Sequence, residues 1–456
     1  MKEYKNEEKT DFSNDNTQMK IINKKEIKDV KLMIKNNKLY EEEKKDYLLK
    51  MFLNNISINI IILLSIIVLL IMHFFYSPSL FSYSLIFEKN IQIKLSEKWL
   101  IFFRIMSFLG GGTLIIIGYF IFLCYNSLVT SILFCFSLIF MVYLHDLMKL
   151  LYAEPRPFWL NSELLKGKCE TSYGNPSGHS LAAFYFFLSL SYFICKSKIN
   201  SFVFKIFVYS INIIIAGIIA FSRIVLGVHS IDQVLYGTTL GIWIFLVLTY
   251  VFKVYDMPLS YYLKYYKEIK YIICFLLVLL ILLALPIIFY NVINILPDIK
   301  KYDSVINKKC PVTPFYKVYS HECMAQSLIL LLIVGIYFGQ YCFFNIFNRN
   351  KNKFMDKKLL LDLEENINSW NNKNNLNCLN IIRMIGLMSL SSLPGLFYLF
   401  VPGKNNSLIN IFLFKIGLPL FLIGFLFFGP CFYGLIFIIK DKKDNYMEHY
   451  EELQEK

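Results

Sequence analysis

The chain has 456 residues, of which 56% are apolar and 17% aromatic but only 18% charged. That charged share lies well under the roughly 25% of soluble domains, which excludes an ordinary soluble globular protein and leaves an integral membrane chain of many spans. The formal charge of +14 would suit a nucleic-acid binder. The basic residues, however, are scattered over loops and membrane edges instead of gathering on one soluble domain, so no nucleic-acid partner is expected.

Residues 1–54 are rich in Lys, Glu and Asn, with a short amphipathic stretch at Ile27–Met51, and read as a disordered, charged cytosolic arm. The first apolar run starts too far into the chain and is too long for a cleavable signal, so it reads as an uncleaved anchor. Uncharged windows long enough to cross a bilayer fall at 56–76, 105–123, 128–148, 180–195, 203–222 and 233–252, then at 271–293, 324–346, 384–402 and 411–436. The first six make a domain at 55–252. Residues 253–440 form a C-terminal membrane region of about four spans with a cytosolic linker near 346–378, followed by a cytosolic tail at 441–456. With the N-terminus in the cytosol, the basic segments Lys196–Lys198, Lys253–Lys270, Arg349–Lys358 and Lys440–Lys443 all fall inside.

Arg104 opens the second span ahead of Gly110-Gly111-Gly112 and is expected to snorkel to the interface. The ten cysteines include no CxxC pair, so no zinc site is expected among them. Cys310 and Cys323 are placed to pair across the loop at 294–322, with Cys169 on the same side and the connectivity open. Asn405-Asn406-Ser407 is a glycosylation sequon in a turn so short that it is expected to stay unused.

Three polar clusters stand where apolar runs begin or end: Lys149–Pro157 (KLLYAEPRP), Asn175–Ser180 (NPSGHS) and Ser222–Gln233 (SRIVLGVHSIDQ). Ionisable groups at such places are functional candidates. Lys149 and Arg156 offer a point charge and a planar fork for an anion, although Lys149 alone would also suit helix-end snorkelling or an i, i+3 pair with Asp146. Ser177-Gly178-His179 opens the fourth span after Pro176, where free amides bind anions and Ser177 can also cap the helix. Arg223 and His229 follow six residues apart.

Lysine, six residues, Arg-Pro; then Pro-Ser-Gly-His; then Ser-Arg, five residues, His: this order and spacing resembles the three-part signature of the type-2 phosphatidic acid phosphatase superfamily, over roughly residues 55–252. That superfamily also holds glucose-6-phosphatases, dolichyl diphosphatases, sphingosine-phosphate phosphatases and vanadium haloperoxidases. The resemblance implies an all-α membrane fold with a six-helix phosphatase core and an active site on the non-cytosolic, luminal face of the endoplasmic reticulum or another endomembrane. It implies His229 as nucleophile, His179 as general acid, and Lys149, Arg156, Ser177, Gly178 and Arg223 as phosphate ligands. No carboxylate cluster fit for two metals is visible, so metal-independent catalysis without a cofactor is expected.

Trp159 and Cys169-Glu170-Thr171 are similar to glucose-6-phosphatases, whereas Glu154–Pro157, Tyr173-Gly174 and Gln233–Gly237 look like dolichyl diphosphatases. A lipid phosphate or diphosphate ranks first as substrate, a sugar phosphate second, and a transporter or channel is the alternative outside enzymes. A vanadate-loaded peroxidase is a remote third class. Most members carry an aspartate four residues after the nucleophile, where this chain has Gln233, with Asp232 one place earlier. Gln233 is favoured to orient His229, Asp232 remains the charged alternative, and Ser230–Gln233 also reads as a capping box.

Overall fold

The computed structural model describes residues 56–111, 128–170, 172–196, 201–256, 269–294, 323, 326–349 and 417–426. The described residues form helices joined by turns and irregular loops, with no strand among them. Six of the helices are long and apolar enough to cross a membrane: Ile60–Lys94, Ile132–Leu160, Gly178–Lys196, Phe202–Val225, Ile231–Asp256 and Lys270–Val292. The chain is an all-α integral membrane protein. The expected arm at 1–54, the loop at 294–322 with Cys310, the span at 384–402, most of the linker at 346–378, the sequon and the tail at 441–456 lie outside the described residues.

The chain divides into two compact units, Met1–Leu64 and Ser65–Lys456. In the first, the described residues are the opening turns of helix α1, Ile56–Lys94. The second holds the rest of α1 and α2 (Glu97–Leu109), α3 (Leu128–Tyr152), α4 (Gly178–Lys196), α5 (Phe202–Val225), α6 (Ile231–Leu246), α7 (Ile269–Asn294), α8 (Leu330–Arg349) and α9 (Leu418–Leu426).

The first span departs from the expected 56–76, because the helix runs on through Pro78 to Lys94. An interior proline deletes one backbone donor, which a membrane helix tolerates when neighbouring groups take up the freed carbonyls. The carbonyl left without its helical donor is that of Phe74, and Ser82 Oγ separately donates to the Pro78 carbonyl at 3.0 Å. The second span is also shifted: α2 starts at Glu97, puts Arg104 mid-helix and stops at Gly110, and the remainder of 105–123 lies outside the described residues. Arg104 stays half-exposed, reaching Glu97 at 3.4 Å and the Lys166 carbonyl at 3.2 Å. Spans three to seven start and end within a few residues of expectation, the sixth closing in a π-helical turn at Val247–Val251. The eighth is a shorter helix from Leu330, and the tenth is described over Leu418–Leu426.

The main core lies between α3, α4, α6 and α8, where Phe134, Ile139 and Met141 meet Leu181, Tyr185, Leu240, Ile244, Ile336 and Tyr337. A second cluster sits under the polar clusters: Leu100 and Phe103 of α2, Leu150 of α3, Phe158, Trp159 and Tyr173 of the loops, Val225, Leu226 and Val228 after α5, and Cys323. Large fully buried aromatics of this kind dominate local packing. They make the loop layer a rigid floor for whatever the clusters hold. The disulfide falls on Cys169, and Cys323 keeps its thiol, so the Cys310–Cys323 pairing does not form.

Candidate active site

The three clusters arrive together because the helices that carry them end in one layer. α3 delivers Lys149 in its last turn, and the chain then leaves the helix through Ala153, which takes a positive φ of 47°. Arg156 is the N-cap residue of a four-residue helical turn, Pro157–Leu160, with proline at the first helical position. α4 begins at Gly178, so the Gly178 and His179 amides belong to a first turn that has no intrahelical acceptor. A Cβ on Gly178 would come within 2.5 Å of His145 Nε2, so only glycine lets α3 pass this close to the start of α4. α5 supplies Arg223 in its last turn, and a tight turn brings the amides of Val228 and His229 back to the Arg223 carbonyl at 3.2 and 3.3 Å.

Arg156 is fully buried and almost wholly committed. Its Nε donates to the Ser172 carbonyl at 2.6 Å, Nη2 to Ser172 Oγ at 2.9 Å and the Tyr173 carbonyl at 3.2 Å, and Nη1 to the Val228 carbonyl at 3.0 Å. A guanidinium has five N–H groups. The last one, on Nη1, faces both His229 Nε2 at 3.0 Å and Glu170 Oε2 at 2.7 Å. Arg156 therefore presents a single N–H to an anion, not a bidentate fork.

Arg223 is freer: Nη1 donates to Ser107 Oγ, Nη2 pairs with Glu170 Oε1, and Nε has no hydrogen-bond partner. Lys149 Nζ donates to Ser172 Oγ at 2.8 Å. The i, i+3 partner open to it in sequence, Asp146, faces His145 Nδ1 at 3.0 Å.

Two residues that sequence reasoning did not assign to the site hold it together. Ser172 Oγ accepts from both Lys149 and Arg156, spacing the two cations. Glu170 bridges Arg156 and Arg223 with its two oxygens, and its Oε2 lies 3.9 Å from His229 Nε2. Burial works against this carboxylate's charge, but Arg223 and Arg156 outweigh it and hold the group well below the usual carboxylate range.

His229 is 1% exposed. Its Nδ1 lies 3.3 Å from Gln233 Oε1 and its Nε2 faces the Arg156 guanidinium, which can only donate. The partners assign the tautomer: the proton sits on Nδ1 and the Nε2 lone pair points into the site. Burial, then Arg156 and Arg223, push the imidazole well below its ordinary value, so it is neutral near pH 7.

Gln233 is fixed from both ends. Its Oε1 takes the Ser230 amide at 3.4 Å, completing the capping box of α6, and its Nε2 donates to the Pro155 carbonyl at 2.8 Å. Gly174 makes room, since a Cβ there would lie 2.5 Å from Gln233 Oε1. An aspartate or glutamate could not donate to Pro155, which gives a physical reason for an amide at this position.

Asp232 turns the other way and accepts from Ser77 Oγ of α1 at 2.7 Å. Ser177 accepts from Ser180 Oγ at 3.0 Å, and its amide donates to the Gln233 carbonyl at 3.0 Å. His179 lies beside the turn after α2, where a Cβ on Gly111 would be 3.7 Å from its Nε2. The expected residues thus form one site, except Asp232.

A pocket of three buried cations, an anion between them and a neutral imidazole beside it can bind and attack a phosphate. Residues 130–256 match the PAP2 superfamily. No curated protein and no solved structure matches the chain. The PAP2 match starts in the first turn of α3 and contains all three clusters, while Ser77 and Ser107 of α1 and α2 lie outside it. Residues 130–256 are thus similar to a superfamily that includes phosphatases, in a chain whose described helices include six long and apolar enough to cross a membrane.

Proposed function

We propose that the protein hydrolyses a lipid phosphate monoester or diphosphate through a phosphohistidine on His229, with the site open to the non-cytosolic side. The observation that carries this reading is the Glu170 bridge: an anion already spans Arg156 and Arg223 with one oxygen 3.9 Å from His229 Nε2. Substrate phosphate takes that place, held by Arg223, the Arg156 Nη1 group that now faces Glu170, Lys149, Ser177 and the first amides of α4.

His229 Nε2 then forms a bond to phosphorus while the bond to the leaving oxygen breaks, and His179 gives that oxygen its proton. Gln233 Oε1 accepts the Nδ1–H throughout, steadying the imidazole as it becomes cationic. Water next attacks phosphorus, His179 takes its proton, and phosphate leaves as the P–N bond breaks. Every step uses groups of this chain.

Leu151, within the Lys149–Arg156 segment, and Leu160, just after it, are 48% and 45% exposed and supply an apolar rim that supports a lipid substrate. The test is a panel of phosphatidate, sphingoid phosphate, polyprenyl diphosphate and glucose 6-phosphate with purified full-length protein, together with trapping of a base-stable, acid-labile phosphoenzyme. A lipid preference with a trapped phosphohistidine is expected. Preference for the sugar phosphate would overturn the lipid assignment, and no hydrolysis of any ester would favour a transporter or channel.

A further inference from the structure

Behind the phosphate pocket lies a second cluster that the chemistry above does not use. His73 of α1, Glu154 and Asp232 each bring one ligand atom, and these atoms all lie within 4.8 Å of one another. His73 and Asp232 are 1% and 0% exposed, while Glu154 is about a quarter exposed and leaves a way in. Four polar atoms here have no hydrogen-bond partner: His73 Nδ1, Glu154 Oε2, Asp232 Oδ1 and Asn175 Oδ1. Buried polar atoms are normally satisfied, and a fully buried carboxylate oxygen left without a partner, Asp232 Oδ1, in a cluster of close ligand atoms leaves room for a ligand.

Charge says which ligand. Two carboxylates beside one imidazole make a donor set for a cation. A divalent cation offsets both carboxylates. Distance agrees. Ligands bound at about 2.0–2.2 Å to a tetrahedral ion stand about 3.4 Å apart, and His73 Nε2 lies 3.6 Å from Glu154 Oε1.

The outer contacts also suit a metal site, because Ser77 Oγ holds Asp232 Oδ2 at 2.7 Å and leaves Oδ1 bare. The Asn175 amide lies against His73 with Nδ2 2.6 Å from Nε2, and turning that amide offers Oδ1 as a fourth donor. Stacking on Tyr236 at 4.4 Å and edge contacts to Tyr76 and Tyr152 fix the His73 ring.

We propose that His73, Glu154, Asp232 and Asn175 form a binding site for one divalent transition-metal ion. A nitrogen with oxygens favours zinc or manganese over calcium and magnesium, which take oxygens alone. Glu154, Asn175 and Asp232 come one from each phosphate cluster, and His73 adds α1. The ion ties the three clusters from behind while staying out of contact with the substrate. It is a structural staple, compatible with metal-free chemistry at His229.

The experiment uses purified full-length protein, stripped with chelator and then titrated with ZnCl₂ or MnCl₂ beside MgCl₂ and CaCl₂. Melting temperature and metal retained after desalting are read by scanning fluorimetry and elemental analysis. We expect about one equivalent of zinc or manganese per chain, a Tm raised by several degrees and no comparable effect of magnesium or calcium. His73→Gln and Glu154→Gln should lose the retained metal and the Tm rise. The proposal is overturned if the wild-type protein retains no metal, if magnesium or calcium serves equally, or if a variant that elutes as a monodisperse protein retains as much as wild type. Phosphoenzyme formation does not enter these readouts, so failure here leaves the phosphatase reading standing.

Discussion

On one side of the start of α6, Lys149, Arg156 and Arg223 surround a single carboxylate, Glu170; on the other, Glu154 and Asp232 stand beside a single imidazole, His73. Gln233 serves the first pocket and Asp232 the second, though they are consecutive. Successive helical residues point about 100° apart, so one helical turn can feed two sites of opposite sign. Buried charge of one sign is costly until compensated. The cationic pocket carries its own replaceable acid, and the anionic pocket has only a weak base. Each pocket therefore displays the charge opposite to that of its proposed ligand.

The sharpest way to break the comparison is to remove the nucleophile. His229→Ala should abolish both turnover and the trapped phosphoenzyme, whereas His179→Ala should slow hydrolysis about 10²–10⁴-fold through loss of proton transfer. Turnover that survives in His229→Ala would end the mechanism proposed for the cationic pocket.

Gln233 is the next test, because it stands on the boundary. Gln233→Glu keeps an acceptor for His229 Nδ1–H but faces the Pro155 carbonyl with no donor. It should retain much of kcat and lose about 1–3 kcal/mol of stability. Gln233→Ala loses the orienting oxygen as well, and kcat should fall further. If Gln233→Ala turns over normally and only melts earlier, the residue is a helix cap and nothing more.

A smaller effect concerns pH. His229 is held well below its ordinary value by burial, Arg156 and Arg223, so no limb of the kcat/KM profile near pH 6.5 should belong to it. The sign for stability follows. Below about pH 6.5 the unfolded chain binds a proton at this position that the folded chain refuses, so acid destabilises the fold. Glu170 is opposite in kind: its depressed pKa contributes stability above the unfolded carboxylate value of about 4.3, lost only as pH falls through the folded value. Mild acid therefore does not release Glu170 from the arginines. Glu170→Gln should lower KM several-fold with little change in kcat, measured at pH 6 and pH 8.

The helices at 178–196 and 202–225 were legible in sequence because apolar length and flanking polar residues mark both ends. So were the three clusters, which the fold brings together around Arg156. The run of α1 through Pro78 was not, since proline signals a helix end in water and membrane helices relax that rule. Glu170 escaped because a single acid in a loop carries no periodicity, although an acid flanked by basic clusters was a usable signal. His73 lies inside the first apolar run, and an ionisable residue there is itself a flag. Its partners come from residues 81 to 159 positions away, which no local pattern reveals.

The tether on Glu170 has a kinetic meaning. A carboxylate fixed to the chain competes at an effective concentration that for short flexible links is on the order of millimolar, whatever the composition of the medium. Inorganic phosphate, once freed from His229, must hold Arg223 and Arg156 against a rival that never diffuses away. Esters with a long apolar tail have extra grip and can enter; the small product has none and is swept out. Under the proposed mechanism the site would clear itself after each turnover.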